Sequence, residues 1–156
     1  MVKTNAMRML DKENIQYEVF EYEVDENDLS GVSTAKKINQ PCELLFKTLV
    51  VRNDKKMIYV CCIPVAEELD LKKIAKITKS KSVEMLHVKE LLSTCGYVRG
   101  SCSPIGMKKK FPTYIDETCI LFDEIFVSAG IKGRMLKIKT NDILKFCEFE
   151  PVELCK

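Results

Sequence analysis

Residues 44–64 read LLFKTLVVRNDKKMIYVCCIP, two apolar runs separated by Asn53-Asp54-Lys55-Lys56. Short runs rich in β-branched and aromatic residues, split by polar turn formers, specify a β-hairpin. The first run is almost continuously apolar. A strand with one solvated face would alternate apolar with polar side chains, so both faces of this one are expected to be covered.

Lys47 interrupts that run. On period-two alternation it shares a face with Leu45, Leu49 and Val51. Lysine is rarely fully buried without a partner. It either snorkels to the rim of the sheet or points into a pocket that holds an anion, and the pattern alone leaves both open.

The rest of the chain alternates short strand-like and helix-like pieces. Thr4 can cap a helix with Ala6, Met9 and Leu10 on its apolar face. QYEVFEYEV, residues 16–24, is β-rich and reads as a strand, followed by the polar loop DENDLSG. VSTAKKI spaces Val32, Ala35 and Ile38 for one helix face, ended at Asn39-Gln40-Pro41. Asp70 can cap a helix that turns Leu71, Ile74 and Ala75 inward. VKELLSTCG predicts another, stopped by Gly96. TYIDE, CILFDE, IFVSAG and MLKIK read as short strands, and Thr140 can cap a last helix, NDILKFC.

No repeat or linker divides the chain. At 156 residues it is long enough for one domain with a sizeable core, taken here as residues 1–156. The fold class expected is α+β, a curved mixed sheet or barrel with short peripheral helices.

The net charge of +2 gives no global argument for nucleic-acid binding, so any basic surface must come from local clustering. No segment approaches the roughly 20 apolar residues of a membrane span, and MVKTNAMRML has no signal-peptide core. A cytoplasmic location follows as the expectation. The eight cysteines form no C-x-x-C pair, and His87 is the one histidine. Zinc spacing is absent. Most of the cysteines are expected to be small buried hydrophobes, no metal or cofactor is expected, and His87 is taken as structural.

Three stretches invite a chemical reading. GYVRGSCSPIGMKKK, residues 96–110, carries three glycines. Glycine permits positive φ and close backbone approach, and bare N–H groups can hold an anion or an oxyanion. Equally, the loop can be a tight crossover whose turn is set by Ser103-Pro104. SAGIKG, residues 128–133, repeats the small-residue theme and alone is no better than a hairpin turn. Lys108-Lys109-Lys110 is either a solvated run or a contact for a phosphate backbone. No G-x-S-x-G elbow or P-loop is present.

Taken together and in order, these pieces resemble the YbaK-type aminoacyl-tRNA deacylases, in the Cys-tRNA(Pro)/Cys-tRNA(Cys) deacylase branch. FEYEVDE is similar to the family's tyrosine strand, FKTLVV to its lysine strand, and IPVAEELDLKKIAK to the segment after the hairpin. GYVRGSCSPIGMKKKFPTYID resembles its G-Y-x-x-G-x-x-S-P-x-G motif, and FVSAGIKG its late serine-glycine motif.

The resemblance implies a trans-editing factor that removes cysteine from tRNA(Pro) mischarged by prolyl-tRNA synthetase. A proline pocket cannot strongly reject a similar-sized apolar residue, because a methylene is worth only about 1–3 kcal/mol. By the same resemblance, Lys47 binds the tRNA 3′ end. Tyr22, Thr48 and Ser103 line the substrate site, Gly100 and neighbouring N–H groups hold the ester carbonyl, and Ser128 and Gly130 close the pocket. The implied partners are the aminoacyl ester of tRNA(Pro) and, transiently, prolyl-tRNA synthetase. The chain would act as a monomer or weak dimer, without a membrane.

No protein nucleophile is visible, and the family's implied mechanism uses the substrate's own thiol. Two positions depart from the pattern. Arg134-Met135 stand where an aspartate is often found, and Cys102 stands where an apolar residue is expected. The alternatives are a deacylase for another small amino acid, such as Ala-tRNA(Pro), and a non-catalytic tRNA- or synthetase-binding module.

Overall fold

The computed structural model describes residues 2–156. Thr4 caps α1 (Asn5–Lys12), its hydroxyl accepting the Met7 N–H at 3.2 Å. The buried face of α1 is Ala6, Met7 and Leu10, so Met7 takes the inward place expected of Met9, which is exposed. Residues 6 and 10, and 7 and 10, are the pairs that stack over one turn.

Strand β1 (Tyr17–Glu21) is shorter than the apolar pattern suggested. Ser30 caps α2 (Gly31–Lys37). The hairpin forms as expected, β2 (Phe46–Asn53) against β3 (Ile58–Pro64), with Phe46 opposite Pro64 and Arg52 opposite Ile58. Asp70 caps α3 (Leu71–Ile77) through the N–H groups of Lys72 and Lys73. A three-residue strand, β4 (Val83–Met85), was not apparent in the sequence. Next comes α4 (Val88–Cys95), stopped by Gly96 at φ +90°.

β5 (Thr113–Asp116) leads into Glu117–Leu121, a 3-10 segment rather than the strand expected of CILFDE. Asp116 decides this, because its carboxylate accepts the N–H and hydroxyl of Thr118 and so caps a helical turn. β6 (Glu124–Ser128) and β7 (Arg134–Lys139) precede α5 (Thr140–Phe146). The cap position of α5 is Lys139, with no side-chain cap bond. The Thr140 hydroxyl is instead spent on the Phe122 carbonyl, at 2.6 Å. β8 (Glu150–Val152) follows.

The strands form two sheets, ordered β1-β7-β6 and β4-β2-β3-β5-β8. The first is antiparallel. The second is mixed, with β5 parallel to both β3 and β8. A single parallel bridge, Leu45 to Phe126, joins them. The architecture is thus the expected α+β one with mixed pairing, without closure into a barrel.

Between the sheets lies the main core, to which α1 gives Met7 and Leu10, β2 Phe46, β3 Cys62, β7 Leu136 and Ile138, and α5 Ile143. Outside the large sheet, Ile74 of α3 packs with Val51, Tyr59, Cys61 and Ile63. Outside the small sheet, Ala35 of α2 packs with Leu45, Phe126 and Met135. The hairpin is therefore covered on both faces, which is why its strands do not alternate. All eight cysteines are free; Cys61, Cys62, Cys95 and Cys119 are buried and the others half-buried. Among the described residues, no helix is long and apolar enough to cross a membrane.

Candidate active site

The Leu45–Phe126 bridge sets the geometry of the site. The two strands run parallel there, and Lys47 and Ser128 each lie two residues further on. Side chains two apart in a strand leave by the same face. Leu45 and Phe126 share the outer cluster under α2, so Lys47 and Ser128 are on that face too. Lys47 is half-buried, and none of the ion pairs among the described residues includes it.

Ser128 is doubly committed. Its hydroxyl donates to the Ser101 carbonyl at 3.0 Å and accepts the Gly130 N–H at 3.1 Å. One side chain thus ties the late serine-glycine motif to the glycine loop. Thr4 adds a third strand of this tie, donating to the Ala129 carbonyl at 2.7 Å.

Gly100 has φ +89°, and a Cβ there would come within 3.3 Å of both Leu29 and Lys132. A side chain would be strained in its backbone and crowded in its surroundings. Gly130, at φ +92°, is pressed against the ring of Tyr97, whose hydroxyl donates to the Ile105 carbonyl. Some of the loop's N–H groups are used internally: those of Gly96, Ser101, Ile105 and Lys108, by Leu92 O, Val98 O, Ser103 Oγ and Cys95 O. The Gly100 N–H is one of several in the loop with no acceptor among the described residues.

Tyr22 belongs to the same outer cluster as Leu45 and Phe126. Its N–H donates to the Gly133 carbonyl at 2.9 Å, and Lys37 of α2 stands 5.9 Å from its ring centre. The structure therefore places Lys47, Tyr22 and Ser128 on the outer face, and the glycine loop meets that face at its edge, through Ser101 against Ser128 and Gly100 against Leu29, while its Tyr97, Cys102 and Met107 pack with Val50 on the other side of β2. Thr48 leaves by the opposite face, its hydroxyl 3.7 Å from the sulfur of buried Cys62. Ser103 is fully buried, its hydroxyl accepting the Ile105 N–H, so it holds the loop's turn.

An open cavity of about 430 Å³ lies between the two loops, lined by Tyr97, Val98 and Ser101 on one side and Gly130, Ile131 and Lys132 on the other. A second, of about 470 Å³ beside α5, touches none of these motifs. Lys132, which sequence reasoning did not single out, pairs with Glu26 at 3.1 Å and so fastens the loop before α2 to the late motif. Nothing in its local pattern signals this, because the partners are far apart in the chain.

Cys102 shares a cluster with Cys95, Tyr97 and Met107. The neighbouring Cys95 thiol, and then burial, push its own thiol well up. Arg134 turns away from the glycine loop, donating to the Val2 carbonyl at 2.8 Å and facing Glu21. Met135 is buried in the outer cluster. His87 is exposed at the start of α4, and Lys108, Lys109 and Lys110 are exposed, the last paired with Glu148. Among the described residues, no three His, Cys, Asp or Glu side chains converge as a metal site would require.

A family model described as an aminoacyl-tRNA editing domain matches residues 28–146. The chain is 43% identical, over 97% of its own length and 93% of the relative's, to an Enterococcus faecalis (strain ATCC 700802 / V583) protein named "Putative Cys-tRNA(Pro)/Cys-tRNA(Cys) deacylase EbsC". Its architecture is similar to a structure titled "Crystal structure of a putative trans-editing enzyme for prolyl tRNA synthetase", with a TM-score of 0.83, 18% identity and coverage of 100% and 99% of the two chains. It is also similar to that of hypothetical protein APE2540, with a TM-score of 0.86, 12% identity and coverage of 96% and 97%. At such identities these two structures speak to the fold alone.

Proposed function

The chain belongs to the aminoacyl-tRNA editing domain family, and on that premise we propose that it is a trans-editing deacylase that removes cysteine from mischarged Cys-tRNA(Pro). The observation that carries the reading is the near-full-length identity of 43% to a relative named for this activity. Lys47 and Ser128 on one face, with Ser128 tied to the glycine loop, supply a means.

In this reading the Lys47 ammonium holds the phosphate or ribose of the tRNA 3′ end. No ion pair among the described residues engages it, which leaves it free to do so. The Gly100 N–H meets the ester carbonyl oxygen, where a donor already fixed by the fold stabilises developing negative charge without reorganising. Tyr22 and Gly130 bound the aminoacyl group, and Ser128 holds the two loops in register. Thr48 and Ser103 support from beneath, one under the lysine strand and the other inside the loop.

The nucleophile comes from the substrate. Its thiol gives up a proton to solvent, and the sulfur bonds to the carbonyl carbon. The bond from that carbon to the tRNA 3′ oxygen breaks, and this oxygen takes up a proton. The products are a cyclic thiolactone and free tRNA, and water later opens the thiolactone to cysteine. The protein's part is orientation and oxyanion stabilisation. The reaction belongs to the cytoplasm, in transient company with prolyl-tRNA synthetase.

The test is deacylation of Cys-tRNA(Pro), Cys-tRNA(Cys) and Ala-tRNA(Pro) side by side. Faster release of cysteine than of alanine supports the proposal. A preference for alanine would reassign the pocket to another small amino acid. Tight tRNA binding with no cleavage would make the chain a binding module.

A further inference from the structure

We propose that the lysines of the β2–β3 turn and of α3 form the docking surface for the acceptor stem of the tRNA, a track of phosphate contacts leading away from Lys47. This rests on the deacylase reading and adds to it the place where the nucleic acid lies.

Lys55, Lys56, Lys72, Lys76, Lys79 and Lys81 are all exposed. None takes part in the ion pairs among the described residues, whereas neighbouring Lys73 is held by Glu153. In a chain of net charge +2, this is a strongly local excess. Such an excess focuses a field that attracts polyanions.

The surface is built as one piece. The Asp54 N–H donates to the Ser82 carbonyl at 3.1 Å, and the Asp54 carboxylate accepts the Lys81 N–H at 3.0 Å. The Asn53 amide donates to Ser80 Oγ at 3.0 Å. These bonds lock the hairpin turn to the segment after α3, and they occupy the nearby acid with backbone N–H groups. Asp70 is similarly occupied as the cap of α3.

Two of the lysines stand where backbone geometry favours glycine or asparagine, Lys56 at φ 63° and Lys79 at φ 55°. Charge is placed there despite the conformation.

Continuity with the site follows from β2. Lys47 lies on the face that α3 covers further along, where Leu49 and Val51 pack with Leu71, Ile74 and Ile77. From Lys47 to Asn53 the strand advances six residues, or roughly 20 Å. A tRNA 3′ end has four unpaired nucleotides, which span about 14 Å if stacked at ~3.4 Å each. The first paired phosphates therefore arrive over α3 and the turn. Lysines are point charges suited to phosphate and carry no base readout. The track should bind acceptor stems with little regard to sequence.

The test uses the full-length protein and the variant Lys55→Gln/Lys56→Gln/Lys76→Gln/Lys79→Gln. Substrates are cysteinyl-tRNA(Pro) and the cysteinyl ester of a short CCA-ended oligonucleotide. We expect KM for the tRNA to rise roughly 10-fold or more, with the short ester cleaved as by the wild type. The slope of log affinity against log salt, measured by anisotropy with deacylated tRNA, should fall by about 3–4. Unchanged tRNA affinity and salt slope would overturn the surface, as would equal losses on both substrates. Lysine-dependent binding to anionic phospholipid vesicles in preference to tRNA would overturn it as well. A wild type that cleaves neither ester refutes the deacylase reading, and the anisotropy still decides the surface.

Discussion

The hydroxyl of Ser128 bonds the carbonyl of Ser101 while receiving the N–H of Gly130, so a single side chain holds both loops of the site. Ser128→Ala leaves that carbonyl and that N–H without their partner. Unsatisfied groups of this kind cost about 1–3 kcal/mol. Urea denaturation should register a loss of this order, and deacylation should fall with it as the loops separate. A variant with wild-type stability and rate would show that the tie is dispensable.

Lys47→Ala should abolish deacylation and leave the fold intact, because the ammonium has no ion-pair partner among the described residues to strand. Circular dichroism checks the second half of this statement. Near-normal turnover with a normal spectrum would remove Lys47 from the site.

The identity of the nucleophile can be read from the substrate. Serine is nearly isosteric with cysteine, but its hydroxyl ionises far less readily than a thiol, whose reference pKa is about 8.5. Seryl-tRNA(Pro) should be cleaved much more slowly, and a trapped thiolactone should appear from the cysteinyl ester before free cysteine does. Cys102→Ala should keep most of the activity, since the neighbouring Cys95 thiol and burial push that thiol well up. Similar rates for both esters, with solvent oxygen entering the amino acid directly, would mean that the protein activates a water.

Asp116 gives the fold a pH limit. Burial works to raise its pKa. The N–H of Leu154 and the hydroxyl and N–H of Thr118 outweigh this and hold it below the usual carboxylate value. A carboxyl whose folded pKa is depressed contributes stability that is present above the unfolded pKa, about 3.9, and is lost as pH falls through the folded value. Stability measured from pH 7 downward should therefore drop through the acid range below about 4. Asp116→Asn should flatten that part of the profile. An unchanged profile would shift the responsibility to other carboxylates.

Elements whose signals are local were legible in the sequence. The hairpin showed in its apolar runs, and Thr4, Asp70 and Gly96 marked helix ends by chemistry that needs no distant partner. β4 and β8 were not legible, being three-residue strands defined by the neighbours they pair with. The left-handed stops after α3 and α5 fall on Lys79 and Glu148, residues that announce no such turn. In the site, the glycine loop could be singled out because positive φ selects glycine. The nearness of Lys47 to Ser128 could not, since it depends on one bridge between distant segments. The opposite facing of Thr48 was legible, because alternation alone sends the neighbour of Lys47 to the other face of the strand.

The pairing of β1 with β7 has a consequence in time. Tyr17 lies opposite Ile138, so the first strand made has no partner until more than a hundred further residues exist. At roughly 5–20 residues per second, translation leaves Tyr17, Val19 and Phe20 waiting for about 5–25 s. A nascent chain of this protein thus carries an unpaired, aromatic strand edge through most of its synthesis. Until β7 emerges, that edge is the part of the chain most open to chaperones and to pairing with other chains.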